Sequence, residues 1–270
     1  MRLLSTRESA NLVEHRARAR YFYDADGVRR LHSVQFMSVP CFRDEGWEAS
    51  FPECKVHTPP GEDVKDGARP SSSDKARRRA QKEVFELALC NADLDAFFTL
   101  TFSPEAVKDR GSYDEVYKEV KIWMSNRVQR RGMKYILVPE RHKKGGIHFH
   151  GFCNSQALQL TPAVNPHNGQ CILDKGRPVY NITDWGRLGF STCKLLPPSI
   201  DDRIKSAKYV TKYITKDTEK IGGRYMLHGG DLKRWEYEYG ECAEDLTSNK
   251  PKEWWYAQGD GFAYTEYTYV

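Results

Sequence analysis

Two histidines one residue apart, His148 and His150, form a pair that could hold a metal ion. In an extended strand, residues two apart share a face, so both imidazoles project together while Phe149 points into the opposite layer. Residues 134–140 (KYILVPE) and 147–153 (IHFHGFC) are strand-like on either side of a short polar connection with glycines, which predicts an antiparallel hairpin. Folded symmetrically about Lys144, that hairpin sets Glu140 opposite His148 and brings a carboxylate to the same ion. Two imidazoles and one carboxylate with open positions suit a catalytic divalent cation. An isolated His-x-His is more often plain decoration of a sheet face, so its meaning depends on what accompanies it.

Its companion is the segment 207–217 (AKYVTKYITKD). Tyr209 and Tyr213 are four apart and stack on one face of a helix, and Lys212 and Lys216 each follow a tyrosine by three. A phenol with pKa near 10 is a weak nucleophile at neutral pH; a neighbouring ammonium favours its phenolate and can hold a phosphate oxygen. Taken alone, a tyrosine pair at this spacing is ordinary aromatic packing.

These groups need a scaffold, and the surrounding text supplies one. Residues 97–102 (FFTLTF) alternate, with Phe98, Leu100 and Phe102 on one face and Phe97, Thr99 and Thr101 on the other, before Ser103-Pro104 ends the strand. A helix over 114–131 carries Val116, Val120, Trp123, Met124 and Val128 on one stripe and should cover the sheet. An earlier helix, capped by Ser73 and Asp74, places Val84, Leu87 and Ala88 at helical spacing behind a basic first half. Beyond a stretch of Pro, Asn and Gly at 155–178, a strand at 187–196 leads into a helix over 198–217. Ahead of all these, 20–57 reads as short strands with an Asp26-Gly27 hairpin turn, and 58–73 as a linker. The expected organisation is a β-rich segment and linker at 1–72, a main domain at 73–217 and an acidic segment at 218–270. The fold class is an α/β, more closely α+β, sandwich with a central antiparallel sheet of about five strands and flanking helices.

Composition narrows the function classes. The 270 residues include 6 Trp, 15 Tyr and 12 Phe, too much buriable surface for a disordered chain. No apolar run approaches a bilayer span, and the first twenty residues lack the apolar stretch of a signal peptide, so a soluble cytoplasmic protein without membrane partners is expected. Seven scattered cysteines without a CxxC pair argue for small core thiols in a reducing compartment. The net charge of +5 is uneven: residues 231–270 hold four Lys/Arg against nine Asp/Glu, a net −5, which leaves +10 on the rest. That excess suggests a polyanion partner as readily as a well-solvated surface.

In combination and in order, the FFTLTF strand, the hairpin with Glu140 and His-x-His, and the YxxKYxxK segment resemble the HUH-type rolling-circle replication initiators, and among them the phage-type group of filamentous-phage gene II and microvirus gene A proteins. The resemblance covers roughly 75–217. It implies an endonuclease palm related to the RRM fold, with His148, His150 and Glu140 binding Mg²⁺ or Mn²⁺ and Tyr209 and Tyr213 as nucleophiles assisted by Lys212 and Lys216. The implied reaction is attack on a single-stranded DNA origin or hairpin, leaving a 5′-phosphotyrosine and a free 3′-OH; a second tyrosine permits a second cut and rejoining. Lys143, Lys144, Lys205 and Lys208 are candidate DNA contacts. No GxxxxGK[ST] motif occurs, so unwinding would fall to a host helicase and extension to a host DNA polymerase.

Three other readings stand beside this one. A two-tyrosine transposase or relaxase shares the chemistry. An RRM-like binding module would use Phe97, Phe98 and Phe102 as stacking platforms, leaving the histidines and tyrosines unexplained. A zinc site at Cys41, Cys54 and His57 would offer three ligands at irregular spacing.

Overall fold

The computed structural model describes residues 13–40, 71–143, 145–214, 220–239, 253–259 and 262–270. In chain order the strands and helices are β1 (Val13–Tyr23), β2 (Arg29–Pro40), α1 (Ser72–Cys90), β3 (Ala96–Phe102), α2 (Tyr113–Arg131), β4 (Tyr135–Arg141) and β5 (Ile147–Cys153). There follow β6 (Leu160–Pro162), β7 (Leu173–Asp174), β8 (Arg177–Pro178), β9 (Tyr180–Ile182), β10 (Gly189–Leu195), α3 (Ile200–Thr211), β11 (Leu227–Gly229), β12 (Glu236–Tyr239), β13 (Glu253–Gly259) and β14 (Phe262–Thr268). The protein is an α+β fold, and among the described residues no helix is long and apolar enough to cross a membrane.

The chain divides into two compact units. One takes its strands from both ends of the chain, and the other includes Pro70–Arg234. This differs from the three consecutive segments expected at 1–72, 73–217 and 218–270. Residues 225–227 belong with the second unit, because Tyr225, Met226 and Leu227 are buried in its cores and β11 pairs with β4.

The second unit is built on a seven-stranded antiparallel sheet in the order β11-β4-β5-β3-β10-β9-β6, the short edge strands β6, β9 and β11 making it wider than the five expected. β3 alternates as its sequence demands: Phe98, Leu100 and Phe102 are buried with Phe149 against Val116, Val120, Trp123 and Met124 of α2. Each such large side chain contributes about 1.5–3 kcal/mol on burial. The opposite face meets α1 and α3, whose Val84, Leu87, Ala207 and Val210 pack on Ile136, Val138 and Phe152. The sheet is therefore covered on both sides, which is why β4 reads as an unbroken apolar run.

Local chemistry fixes the ends. α1 is capped two residues before the expected position: the Ser71 hydroxyl, not Ser73 or Asp74, accepts from the backbone N–H of Asp74 at 3.1 Å. α2 ends on Gly132, whose φ of +59° allows it to donate to Val128 at 3.2 Å while Met133 donates to Arg127 at 3.2 Å. Pro139 sits in β4 beyond its pairing with β11, which stops at residues 135–137. Gly151 answers a close approach, since a Cβ there would lie 2.0 Å from the Ile136 carbonyl oxygen.

In the first unit the sheet order is β12-β1-β2-β14-β13. The Asp26-Gly27 turn joins β1 and β2 as expected, with Gly27 at φ +75° donating to the Asp24 carbonyl at 3.2 Å. Residues 41–57 and most of the expected linker, 58–70, lie outside the described residues.

Candidate active site

Antiparallel pairing aligns the side chains of four strands in rows. Glu140 of β4, His148 of β5, Thr101 of β3 and Phe190 of β10 form one row; Val138, His150, Thr99 and Thr192 form the next; Ile136, Phe152, Phe97 and Lys194 form the third. Glu140 is thus opposite His148, as hairpin symmetry requires. α1 and α3 lie over Ile136 and Phe152 of the third row and Val138 of the second.

Both imidazoles are held from below by threonine. Thr101 Oγ1 and His148 Nδ1 share a hydrogen bond of 3.0 Å, and so do Thr99 Oγ1 and His150 Nδ1. A hydroxyl can either donate or accept, so it anchors the ring in either tautomer and leaves Nε2 for other work. His150 Nε2 donates to Glu140 Oε2 at 2.7 Å, so the carboxylate reaches diagonally to His150 rather than to its cross-strand partner. Burial depresses the pKa of His148, helped by the nearby charges of His142 and His150, while Glu140 opposes the shift. His150, only 7% exposed, is depressed by burial against the opposing hydrogen bond to Glu140. Both rings are therefore neutral near pH 7, the form in which imidazole binds a metal.

The donors are of the kind a divalent cation takes, two neutral imidazoles and a carboxylate on one face. Among the described residues no three His, Cys, Asp or Glu side chains already converge to hold an ion. For His150 Nε2 and Glu140 both to serve as ligands, the hydrogen bond between them would have to open.

The tyrosines arrive from α3. The sequence predicts one helix through Asp217, but α3 closes at Thr211 and tightens: Lys212, Tyr213 and Ile214 donate to the carbonyls of Tyr209, Val210 and Thr211, each three residues back, at 3.1–3.3 Å. Tyr213 stacks flat on His150, with centroids 3.9 Å apart and planes 6° off parallel, and its hydroxyl donates to the Tyr209 oxygen at 2.7 Å. Burial, then the Tyr209 hydrogen bond, pushes the Tyr213 phenol above the ordinary phenolic range. Tyr209 is 47% exposed, meets Phe97 edge-on at 5.7 Å, and has Lys212 Nζ 5.7 Å from its ring centroid.

Of the other candidate residues, Lys143, Lys205 and Lys208 are exposed, and Lys205 borders a cleft beside Tyr209. Lys144 and Lys216 lie outside the described residues, as do Cys41, Cys54 and His57 of the zinc alternative. Of the described cysteines, Cys90, Cys153 and Cys193 are buried as expected of core thiols, whereas Cys171 is exposed because it lies on the long 155–178 excursion. The stacking platform expected of an RRM-like module is corrected: Phe98 and Phe102 are buried under α2, and only Phe97 faces the tyrosines. The residue missed from sequence is Phe190, 63% exposed in the row of His148. The available signal was strand periodicity, which puts Phe190 on one face with the polar Thr192 and Lys194.

The model of a family described as replication-associated protein, of the ORF2 and gene II protein type, matches residues 95–218, from the start of β3 through the tyrosine segment. That match supports a replication initiator of the rolling-circle type. No curated protein and no solved structure matches the chain.

Proposed function

We propose that this protein nicks single-stranded DNA at a replication origin through a tyrosine nucleophile and later rejoins the ends. The observation that carries the reading is the stack of Tyr213 on His150, which sets the tyrosine pair directly against the His-x-His and Glu140. Tyr213 packs partly against the apolar cluster of α1 and α3, but its ring face lies on an imidazole whose ring nitrogens both hold polar partners.

Tyr209 is the first nucleophile, because its oxygen belongs to the more exposed ring and accepts, rather than donates, the hydrogen bond within the pair. Its oxygen bonds to phosphorus as the P–O bond to the 3′ oxygen breaks, and the proton lost by the phenol balances the one gained by the new 3′-OH. Lys212 steadies negative charge at the phenolic oxygen and the phosphate. Lys216 is proposed for the same duty at the second tyrosine.

His148, His150 and Glu140 would hold Mg²⁺ or Mn²⁺, which when bound supplies Lewis-acid polarisation of the phosphate. The threonine anchors keep both imidazoles at fixed orientation for that task. A host helicase, a host DNA polymerase and the cytoplasm of a bacterial host complete the proposed setting.

The test is covalent trapping. Purified protein is incubated with a labelled single-stranded oligonucleotide library and Mn²⁺ or Mg²⁺, and the adduct is digested for mass spectrometry. A phosphotyrosyl peptide containing Tyr209, absent in excess EDTA, is expected. Robust cleavage with no link at Tyr209 or Tyr213 would instead indicate hydrolysis by water.

A further inference from the structure

Beside Tyr209 the surface sinks into a cleft of about 480 Å³, a volume in the range of sites that enclose small molecules. Its walls come from the end of β10, the first turns of α3 and the β7–β8 hairpin. Lys175, Arg177, Lys194 and Lys205 supply four cations against the carboxylates of Asp174 and Asp202.

Both carboxylates are already engaged. Lys194 Nζ pairs with Asp174 at 2.8 Å, which ties the hairpin to the sheet, and Lys205 Nζ lies 3.7 Å from Asp202. Among the described residues neither Lys175 nor Arg177 is in such an ion pair, so two positive charges are left facing the cleft. The hairpin turn itself points the same way. Lys175 at φ +50° and Gly176 at φ +79° make a two-residue turn with both residues left-handed, a place where Asn or Gly would be less strained than lysine.

The apolar side of the cleft is Phe97 with Leu195 and Leu196, and Phe97 also meets the Tyr209 ring. A flat apolar wall opposite paired cations is how sequence-tolerant single-strand sites are made: bases stack while phosphates meet lysine and arginine. We infer that this cleft binds the nucleotide next to the phosphate that Tyr209 attacks, its base against Phe97 and its backbone phosphate between Lys175 and Arg177. The position relative to the attacked phosphate rests on the Tyr209 reading; the binding of single-stranded nucleic acid does not.

The experiment uses full-length protein carrying Tyr209→Phe/Tyr213→Phe, so that binding is read without cleavage. A fluorescently labelled single-stranded oligonucleotide is titrated by anisotropy across a salt series. Lys175→Gly/Arg177→Gln keeps the left-handed turn and removes both charges; it should weaken binding about tenfold and flatten the log–log salt slope by roughly 0.7, the change for one lost phosphate contact on a single strand. Lys175→Arg should bind like the parent. Unchanged affinity and slope in the neutralised variant would overturn the cleft assignment, as would Lys175→Arg failing as badly as the neutralised variant, or no single-strand binding by the parent. The two readings separate cleanly. Cleft-dependent binding in a protein that never forms a covalent adduct refutes the nicking reaction alone, while adduct formation with cleft-independent binding refutes the cleft alone.

Discussion

At the scale of residues, the hydroxyl pair decides what each tyrosine does. Tyr209→Phe removes the acceptor oxygen that faces solvent, so covalent adduct formation should drop to background, whereas Tyr213→Phe removes a donor to that oxygen and should slow the reaction by up to about tenfold. Both changes keep the ring, so melting temperatures should stay close to wild type; equal losses of adduct in the two variants would contradict the ranking. This ranking was illegible in the sequence, where the two tyrosines share one spacing and one following lysine. It arises from the tightened turn after Thr211, which lays Tyr213 on His150 and leaves Tyr209 outside. Phe190 makes the complementary case. An apolar side chain that is 63% exposed in line with His148 contributes little to the core, and as a stacking surface it should account for about 1–3 kcal/mol of single-strand affinity. Phe190→Ala is therefore expected to weaken oligonucleotide binding at unchanged thermal stability. Unaltered binding would return Phe190 to the status of an ordinary surface residue.

At the scale of elements, the hairpin register was readable because it needed only a loop of known length: symmetry about residue 144 sets Glu140 against His148, and the ladder has that register. What the hairpin alone could not say is that Glu140 leans to His150, since a side-chain diagonal depends on the neighbouring strand that anchors both rings through Thr99 and Thr101. The cap of α1 was misplaced for a related reason, three serines in a row at 71–73 offering nearly equal local signals that tertiary packing decides. Within the hairpin, Gly151 lies close against the backbone of Ile136, and its counterpart across the ladder is Leu137. Gly151→Ala would press a methyl into the Ile136 carbonyl and must push β4 from β5, at a cost of about 1–3 kcal/mol or more. Thermal unfolding should register that loss, and adduct formation should fall with it because Glu140 and His150 ride on the two strands that separate. A variant as stable and as active as wild type would show that the ladder tolerates a wider spacing than this contact implies.

At the scale of the whole molecule, the charge asymmetry has a structural use that the sequence concealed. Glu266 pairs with Arg20 at 3.0 Å, and Glu236 and Glu238 meet Arg29 at 3.4 and 2.6 Å, so part of the acidic excess of residues 231–270 neutralises β1 and β2 rather than repelling a polyanion. Pairing across more than two hundred residues leaves no periodic trace, which is why the ends of the chain read as separate segments although β12 and β14 flank β1 and β2. The same sheet carries a pH-sensitive group. His32 is buried in parallel contact with Trp235, centroids 4.6 Å apart, and Nδ1 lies 3.1 Å from the Val270 carbonyl oxygen. Burial, reinforced by Arg20 and opposed by Glu266, lowers its pKa to about 4 from an ordinary 6.5. Between those values the unfolded chain takes up a proton that the folded sheet refuses, so acidification favours unfolding, and stability is lost as pH falls from about 6.5 to about 4. The full shift is worth roughly 3 kcal/mol, all of it present above pH 6.5 and none of it gained further at higher pH. Thermal unfolding of wild type and His32→Gln at a series of pH values measures this directly: whatever the variant's stability at pH 7, its loss between pH 7 and pH 4.5 should be smaller than that of wild type by most of that amount. Parallel pH profiles for the two proteins would show that His32 titrates alike in the folded and unfolded chains.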